Sequence, residues 1–178
     1  NTLIGGLAGD SIQAAGDNTA VGYAALSEET GGQNNVAVGT SALANQNISS
    51  GNIYNTAVGS KAAQAITTGV ENALIGGLAG NALQDADFNV ALGASALTAD
   101  TLGSRSVALG TSALQTQNFT TATDTYNTAV GFQAGKAATT ATNNTIVGGL
   151  AGDALTTGDA NTVLGTGALS ADTKGRYS

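Results

Sequence analysis

Along this chain apolar residues come in bursts of two or three, each preceded by Asn or Ser and closed by Gly. Asn35-Val36-Ala37-Val38-Gly39, Asn89-Val90-Ala91-Leu92-Gly93 and Ser106-Val107-Ala108-Leu109-Gly110 are three of them. A burst this short, rich in β-branched residues and stopped by Gly, predicts a strand of about four residues. The third and fourth residues of the phrase alternate to opposite faces of that strand. Both are apolar throughout, as in Leu3/Ile4, Ala20/Val21, Ala57/Val58, Leu74/Ile75, Ile146/Val147 and Val163/Leu164, which predicts burial on both faces. One face fills an interior; the other calls for a neighbour. After the Gly, Ser41-Ala42-Leu43, Ser95-Ala96-Leu97 and Ser112-Ala113-Leu114 predict a second short strand, and the Thr, Asn, Asp, Gln and Gly residues beyond predict a return loop. Gly every few residues argues against the helical alternative suggested by pieces such as Lys136-Ala137-Ala138.

The phrase starts at Asn1, Asn18, Asn35, Asn55, Asn72, Asn89, Ser106, Asn127, Asn144 and Asn161, 17 residues apart except after Asn35 and Ser106, where 20 and 21 intervene. A regular period with insertions is the signature of solenoid coils. Counting the Asn or Ser as position 1, position 5 is always Gly: Gly5, Gly22, Gly39, Gly59, Gly76, Gly93, Gly110, Gly131, Gly148 and Gly165. These are read as structural turn glycines, at a positive φ or a close approach. Position 8 is always Ala, from Ala8 to Ala168, and reads as a packing site with no room for another methylene. The predicted fold is all-β, a parallel β-solenoid of about ten 17–21-residue coils rising about 4.8 Å each.

A longer period overlies the first. Gly5-Gly6-Leu7-Ala8-Gly9 recurs at Gly76-Gly77-Leu78-Ala79-Gly80 and at Gly148-Gly149-Leu150-Ala151-Gly152, and the two long coils hold matching places. The chain therefore divides into four-coil blocks, 1–71, 72–143 and a partial 144–178, within a single repeat region. The chain opens at a coil start without Met, and Arg176-Tyr177-Ser178 at its close parallels Ser104-Arg105-Ser106, so a fragment of a longer fibre is expected. The extra residues, within 45–54 and 115–126, are expected to leave the stack and project, because a parallel ladder cannot absorb them without a register shift.

Composition narrows the function. Hydrophobic residues make up 42% but are mostly small, aromatics only 4%, and Pro, Cys, Met, Trp and His are absent. Such a core is thin, so backbone ladders and subunit contacts are expected to carry much of the stability. Without Cys there are no disulfides or thiolate metal sites. A net charge of −7 with 5 Lys+Arg argues against nucleic acid as a partner. No apolar run approaches a membrane span, and no signal peptide is visible.

Candidate chemistry is sparse. Gly5-Gly6-Leu7-Ala8-Gly9-Asp10 lacks the Lys of a P-loop and recurs at one coil position, so it reads as a turn. The carboxylates Asp10, Asp17, Glu29, Asp100, Asp153 and Asp172 fall in return loops, where solvation accounts for them; their spacing matches no calcium loop. No catalytic residue, cofactor or metal site is assigned. The position-1 Asn residues are expected to form a structural amide ladder rather than a ligand row. Asn47-Ile48-Ser49, Asn118-Phe119-Thr120 and Asn143-Asn144-Thr145 are sequons, making Asn47, Asn118 and Asn143 candidate glycosylation sites. Tyr54, Phe119 and Tyr126 are candidate contact residues in the long coils. Tyr54, Phe88, Tyr126 and Tyr177 precede coil starts, where a ring can cover a corner of the stack or stack on sugar.

Asn34-Asn35-Val36-Ala37-Val38-Gly39, Arg105-Ser106-Val107-Ala108-Leu109-Gly110 and Phe88-Asn89-Val90-Ala91-Leu92-Gly93 resemble the Asn-Ser-Val-Ala-Ile-Gly phrase of the YadA-like head repeats of trimeric autotransporter adhesins and related phage tail-fibre β-roll repeats. The resemblance runs the length of the chain. It implies a left-handed β-roll, three chains side by side, in a surface fibre. An acyltransferase-type left-handed helix would need an apolar residue every sixth position and, by resemblance to that family, a catalytic His, and both are missing. The expectation is thus a non-catalytic, extracellular rod on a cell or virion surface. Its partners would be other copies in a homotrimer or filament, and a host-surface or glycan receptor. Two alternatives are a head-to-tail filament of single solenoids and an ice-binding module. The latter would use Thr2, Thr19, Thr56, Thr128, Thr145 and Thr162, a row interrupted by Val36, Ala73, Val90 and Val107 at a position expected to be buried.

Overall fold

The computed structural model describes residues 1–177. Ser178, the last member of the closing parallel noted above, lies outside them. The predicted solenoid is present. Ten strands, Thr2–Ile4, Thr19–Val21, Val36–Val38, Thr56–Val58, Ala73–Ile75, Val90–Leu92, Val107–Leu109, Thr128–Val130, Thr145–Val147 and Thr162–Leu164, form one parallel sheet in chain order. The register pairs equal positions of successive coils: Val107 faces Val90 on one side and Thr128 on the other. No helix occurs among the described residues.

The ladder is not confined to the strands. Position 2 donates to position 1 of the next coil (Thr2 N–H to Asn18 C=O, 2.8 Å), and position 5 to position 4 of the coil before (Gly22 to Ile4, 2.8 Å). The chain goes on pairing where a second strand was predicted, as in Gly9 to Ala25 at 2.9 Å and Ala24 to Gly6 at 2.9 Å. That second strand is absent. Positions 7 and 9 take left-handed backbone, φ 56° at Ser41 and 50° at Leu43, and 57° and 53° at Ser95 and Leu97. Alternate left-handed residues coil the chain through two tight corners, closed by Ala42 N–H to Gly39 C=O (3.2 Å) and Gln46 N–H to Leu43 C=O (3.3 Å). An extended strand there would carry the chain away from the sheet instead of back over it.

Position 5 behaves as read. Gly93 has φ +140°, and a Cβ on it would sit 2.5 Å from the carbonyl carbon and oxygen of Gly110. Glycine is required there twice, for the dihedral and for the approach. The Ala column is sealed, with Ala25, Ala42, Ala62, Ala79, Ala96, Ala113, Ala134 and Ala151 fully buried.

The interior contains a volume rule. In seven coils a large position 3 (Leu3, Leu74, Ile146) goes with Gly at position 9 (Gly9, Gly80, Gly152), and Ala at position 3 (Ala20, Ala37, Ala91, Ala108) goes with Leu26, Leu43, Leu97 and Leu114. The other three coils, Ala57 with Ala63, Ala129 with Gly135 and Val163 with Leu169, depart from it. A Cβ on Gly80 would meet Leu74 Cδ1 at 2.8 Å. In those seven coils the two columns share one side-chain volume.

Burial separates the faces of the sheet. Position 3 points in and is buried from Ala20 to Val163, whereas positions 2 and 4 are half-buried or exposed in the single chain. Burial of the inner face is as expected, while the outer face, expected to bury itself against a neighbour, and the position-2 Thr row on it are accessible in the single chain. The structure holds one chain, so only the inward face has packing atoms on it.

Candidate interaction surface

Position 1 is the hinge between the interior and the outer sheet face. From Asn18 to Asn144 each Asn of the column is buried, and its Oδ1 accepts the backbone N–H of the next coil's position 1. In all of them but Asn35, whose Nδ2 is buried without a partner, Nδ2 donates across the coil to a carbonyl of the return loop. For Asn72 and Asn89 these distances are 2.9 Å (Asn89 N to Asn72 Oδ1) and 2.8 Å (Asn72 Nδ2 to Ala86 C=O). The amide ladder is therefore structural. It holds the strand in place, so that position 2 and position 4 form two parallel outward rows.

The position-4 row is apolar in every coil: Ile4, Val21, Val38, Val58, Ile75, Leu92, Leu109, Val130, Val147 and Leu164. Leu92 retains 51% of its surface in contact with solvent and Ile75 retains 40%. The position-2 row beside it alternates Thr with Val and Ala. The position-4 row is thus an apolar stripe along all ten coils that bears no charge.

The long coils differ inside as well as outside. Glu29 and Asp100, placed by sequence in solvated loops, are fully buried at position 12, where Ile66, Leu83 and Leu155 stand in other coils. Glu29 Oε1 accepts the N–H groups of Gly31 (3.0 Å), Gly32 (2.6 Å) and Ile48 (3.2 Å), while Oε2 accepts Gln46 Nε2 (2.8 Å). Gln46 Oε1 in turn accepts Asn55 Nδ2 at 2.8 Å. The second long coil repeats this with Asp100, Gln117 and Asn127: Gly103 N–H and Phe119 N–H donate to Asp100 Oδ1 at 3.1 and 3.0 Å, Gln117 Nε2 to Oδ2 at 2.6 Å, and Asn127 Nδ2 to Gln117 Oε1 at 2.9 Å. A carboxylate at position 12 collects the turn N–H groups that follow it, as Asp172 also does with Lys174 (2.9 Å) and Gly175 (2.8 Å). The long coil stacked on Glu29 or Asp100 adds the donors of Gln46 and Ile48 or of Gln117 and Phe119. Asp10 and Asp17 are exposed, as expected.

The inserts leave the stack only in part. Residues 49–52 and 120–122 are exposed, yet Gly51–Asn52 pairs with Gly32–Gln33, and Thr123–Asp124 with Gly103–Ser104. Ile53 and Thr125 are buried. Phe119 is also buried, so it is a core residue of the insert and not a contact residue; its backbone N–H is drawn in by Asp100 and its ring follows. Tyr54 and Tyr126 are exposed. Among sequon residues, Asn47, Asn118 and Asn143 are exposed, whereas Asn144 stands in the buried amide ladder. Asn47 and Asn118 each accept a hydroxyl of the preceding coil, from Thr30 (2.8 Å) and Thr101 (3.1 Å).

The residue before each coil start forms a further exposed column, and here sequence reading missed a backbone feature. Tyr54, Glu71, Phe88, Arg105 and Tyr126 all have left-handed φ, between 51° and 63°. Tyr54 and Tyr126 keep about half of their surface in solvent and Phe88 somewhat less. The Arg105 guanidinium lies 4.7 Å from the Phe88 ring centroid and pairs with Asp124 (Nε to Oδ1, 2.9 Å). That hydrogen bond to Asp124 is the main cause of the upward push on the Arg105 pKa.

Comparison with known protein families, with curated proteins and with solved structures returned no match.

Proposed function

We propose that this chain is the non-catalytic rod of an extracellular surface fibre, of adhesin-head or tail-fibre type, in which solenoids associate as a homotrimer through the outer sheet face. The observation that carries the reading is the unbroken position-4 row of Val, Ile and Leu. Ile4, Ile75, Leu92 and Leu164 are exposed and the other six are partly buried. Completing their burial is worth from a few tenths to about 1 kcal/mol each, so the row reaches the lower part of the association cost of roughly 4–15 kcal/mol. The non-catalytic part rests on the two buried carboxylates: Glu29 and Asp100 are engaged by four and three donors, respectively, and have no reacting partner at hand. Projecting residues 49–52 and 120–122, with Tyr54 and Tyr126, supply the contact surface.

Native mass spectrometry tests the assembly. A trimer is expected, and Leu92→Lys with Leu109→Lys should convert it to folded monomer; a native protein that stays monomeric over a wide concentration range overturns it. One observation favours a second reading, an ice-binding module: the Thr row at position 2 lies on the outer face. The two readings compete for the same face. Thermal hysteresis from a folded monomer would select ice binding.

A further inference from the structure

The column before the coil starts is the part of the surface that neither the core nor the proposed assembly explains. Its residues are stacked by the backbone ladder: Glu71 N–H donates to the Ile53 carbonyl (2.8 Å), Phe88 N–H to Val70 (3.1 Å) and Arg105 N–H to Asp87 (3.0 Å). Tyr54, Phe88 and Tyr126 precede the fourth, sixth and eighth coil starts and so stand two coils apart, about 9.6 Å at 4.8 Å per coil. Glu71 fills the first gap and Arg105 the second.

Bulky residues pay for left-handed backbone, which Asn tolerates and which Asn34 and Asn143 occupy at this same position. An exposed ring gains little burial to offset that cost. All ten coils carry that conformation at this position, so the ladder imposes it; that exposed rings rather than Asn fill it at Tyr54, Phe88 and Tyr126 is what points to a ligand.

The groups between the rings are polar, planar and fixed. Asp124 accepts the Arg105 Nε–H with one carboxylate oxygen and the Tyr126 hydroxyl with the other (3.3 Å), and Arg105 in turn lies against Phe88. Alternating rings with such groups suits a chain of pyranose units, which presents apolar C–H faces and pairs of adjacent hydroxyls. Two coil rises come close to the length of one disaccharide in an extended β-linked polysaccharide. Glu71, Asp87 and Asp124 outnumber Arg105 in this strip, so an anionic glycan is disfavoured.

We propose that the ribbon Tyr54, Glu71, Phe88, Arg105, Asp124 and Tyr126 binds a neutral, extended β-linked polysaccharide lying along the solenoid axis. The ribbon is outside the position-2 and position-4 rows, so the inference stands whether the rod is single or trimeric. Isothermal titration of the intact chain with cellohexaose, xylohexaose and chitohexaose tests it, with coiled maltohexaose as the comparison. At least one of the three should bind with Kd below about 1 mM, and each of Tyr54→Asn and Tyr126→Asn should weaken it about tenfold. Asn accepts the left-handed backbone, so the fold survives, and an unchanged melt verifies this. Tyr23→Ser, an exposed ring outside the ribbon, should leave the affinity unchanged. Absence of binding to all three β-linked probes, equal binding of maltohexaose, or full affinity in the Tyr54→Asn, Tyr126→Asn double variant would overturn the proposal.

Discussion

The fifth coil, 72–88, and the third, 35–54, share a strand, a Gly turn and an Ala wall, yet their centres are built from opposite materials. In the fifth the interior is Leu74, Ala79, Leu83 and Ala86, all apolar, and the return loop pairs with its neighbours. In the third the centre is Gln46, supplied from below by Glu29 and from above by Asn55. Three extra residues make the difference. A solenoid tolerates a longer coil only if the donors that coil adds to the interior find acceptors, and here a buried carboxylate collects them. The cost of burying that charge is offset by hydrogen bonds from four donors, so the site is a hydrogen-bonded anion and not an ion pair.

Breaking that centre should have the largest effect of any single change. Glu29→Leu restores the residue type of the fifth coil but orphans the N–H groups of Gly32 and Ile48 and the Gln46 amide, while Gly31 N–H keeps the Ile48 carbonyl (2.9 Å), costing about 3–5 kcal/mol. Asp100→Leu should behave alike. The reciprocal change, Leu83→Glu, places a carboxylate where no long coil adds donors and should be as damaging. Urea denaturation measures all three; a loss below about 1 kcal/mol for Glu29→Leu would mean that water reaches these donors.

Next in size is the Gly column, which both kinds of coil share. Gly93→Val combines a positive φ with a clash against Gly110 and should cost about 3 kcal/mol or more, whereas Gly77→Ala, at a site with open space and ordinary backbone, should fall within about 0.5 kcal/mol. Ala96→Leu overpacks a fully buried site and should cost about 1–3 kcal/mol. Thermal melts that fail to separate Gly93→Val from Gly77→Ala would remove the close approach as the reason for the column.

The volume rule gives a finer test, because it distinguishes the fifth coil from the sixth with no polar group involved. Leu74→Ala alone should cost about 2–5 kcal/mol and Gly80→Leu alone about 1–3 kcal/mol. Together they reproduce the Ala91/Leu97 arrangement of the next coil, and the double variant should recover most of the loss. A double-mutant cycle with additive costs would show that the two columns do not share volume.

How much of this could be read from the residues differs from column to column. The period, the Gly turns and the Ala wall were legible because one residue type fills each place in all ten coils. The left-handed backbone at positions 7, 9 and 17 was not, since Leu, Ala, Lys and Tyr occupy it; the ladder between coils imposes that conformation and no side chain announces it. For that reason Ser41-Ala42-Leu43 reads as a strand and folds as a corner. Glu29 and Asp100 read as solvated because Asp and Glu almost always are. Aligned by coil they fall in the column of Ile66, Leu83 and Leu155, and that placement was the available signal. The reciprocity of Leu74 with Gly80 and of Ala91 with Leu97 was equally present and needed only comparison of two columns. The aromatic ribbon was visible as residues but not as strained ones.

The smallest effect belongs to the change that turns one kind of coil into the other. Deleting 49–51 brings the third coil to 17 residues, but by itself it should destabilise the protein, since Glu29, Gln46 and Asn55 would remain inside without the donors that the insert positions. Combining the deletion with Glu29→Leu and Gln46→Ile rebuilds the apolar centre of the fourth and fifth coils, and Asn55 keeps its bond to the Gly69 carbonyl (2.7 Å). The combined variant should fall within about 1–2 kcal/mol of the native protein, less than the loss from either part alone. Circular dichroism with urea titration reads both the sheet and its stability. If the deletion alone were neutral, the polar centre would be a consequence of available space and not the means by which the solenoid accepts an insert; if the combined variant collapsed, the paired segment Gly51–Asn52 would be supporting the second coil directly through Gly32–Gln33.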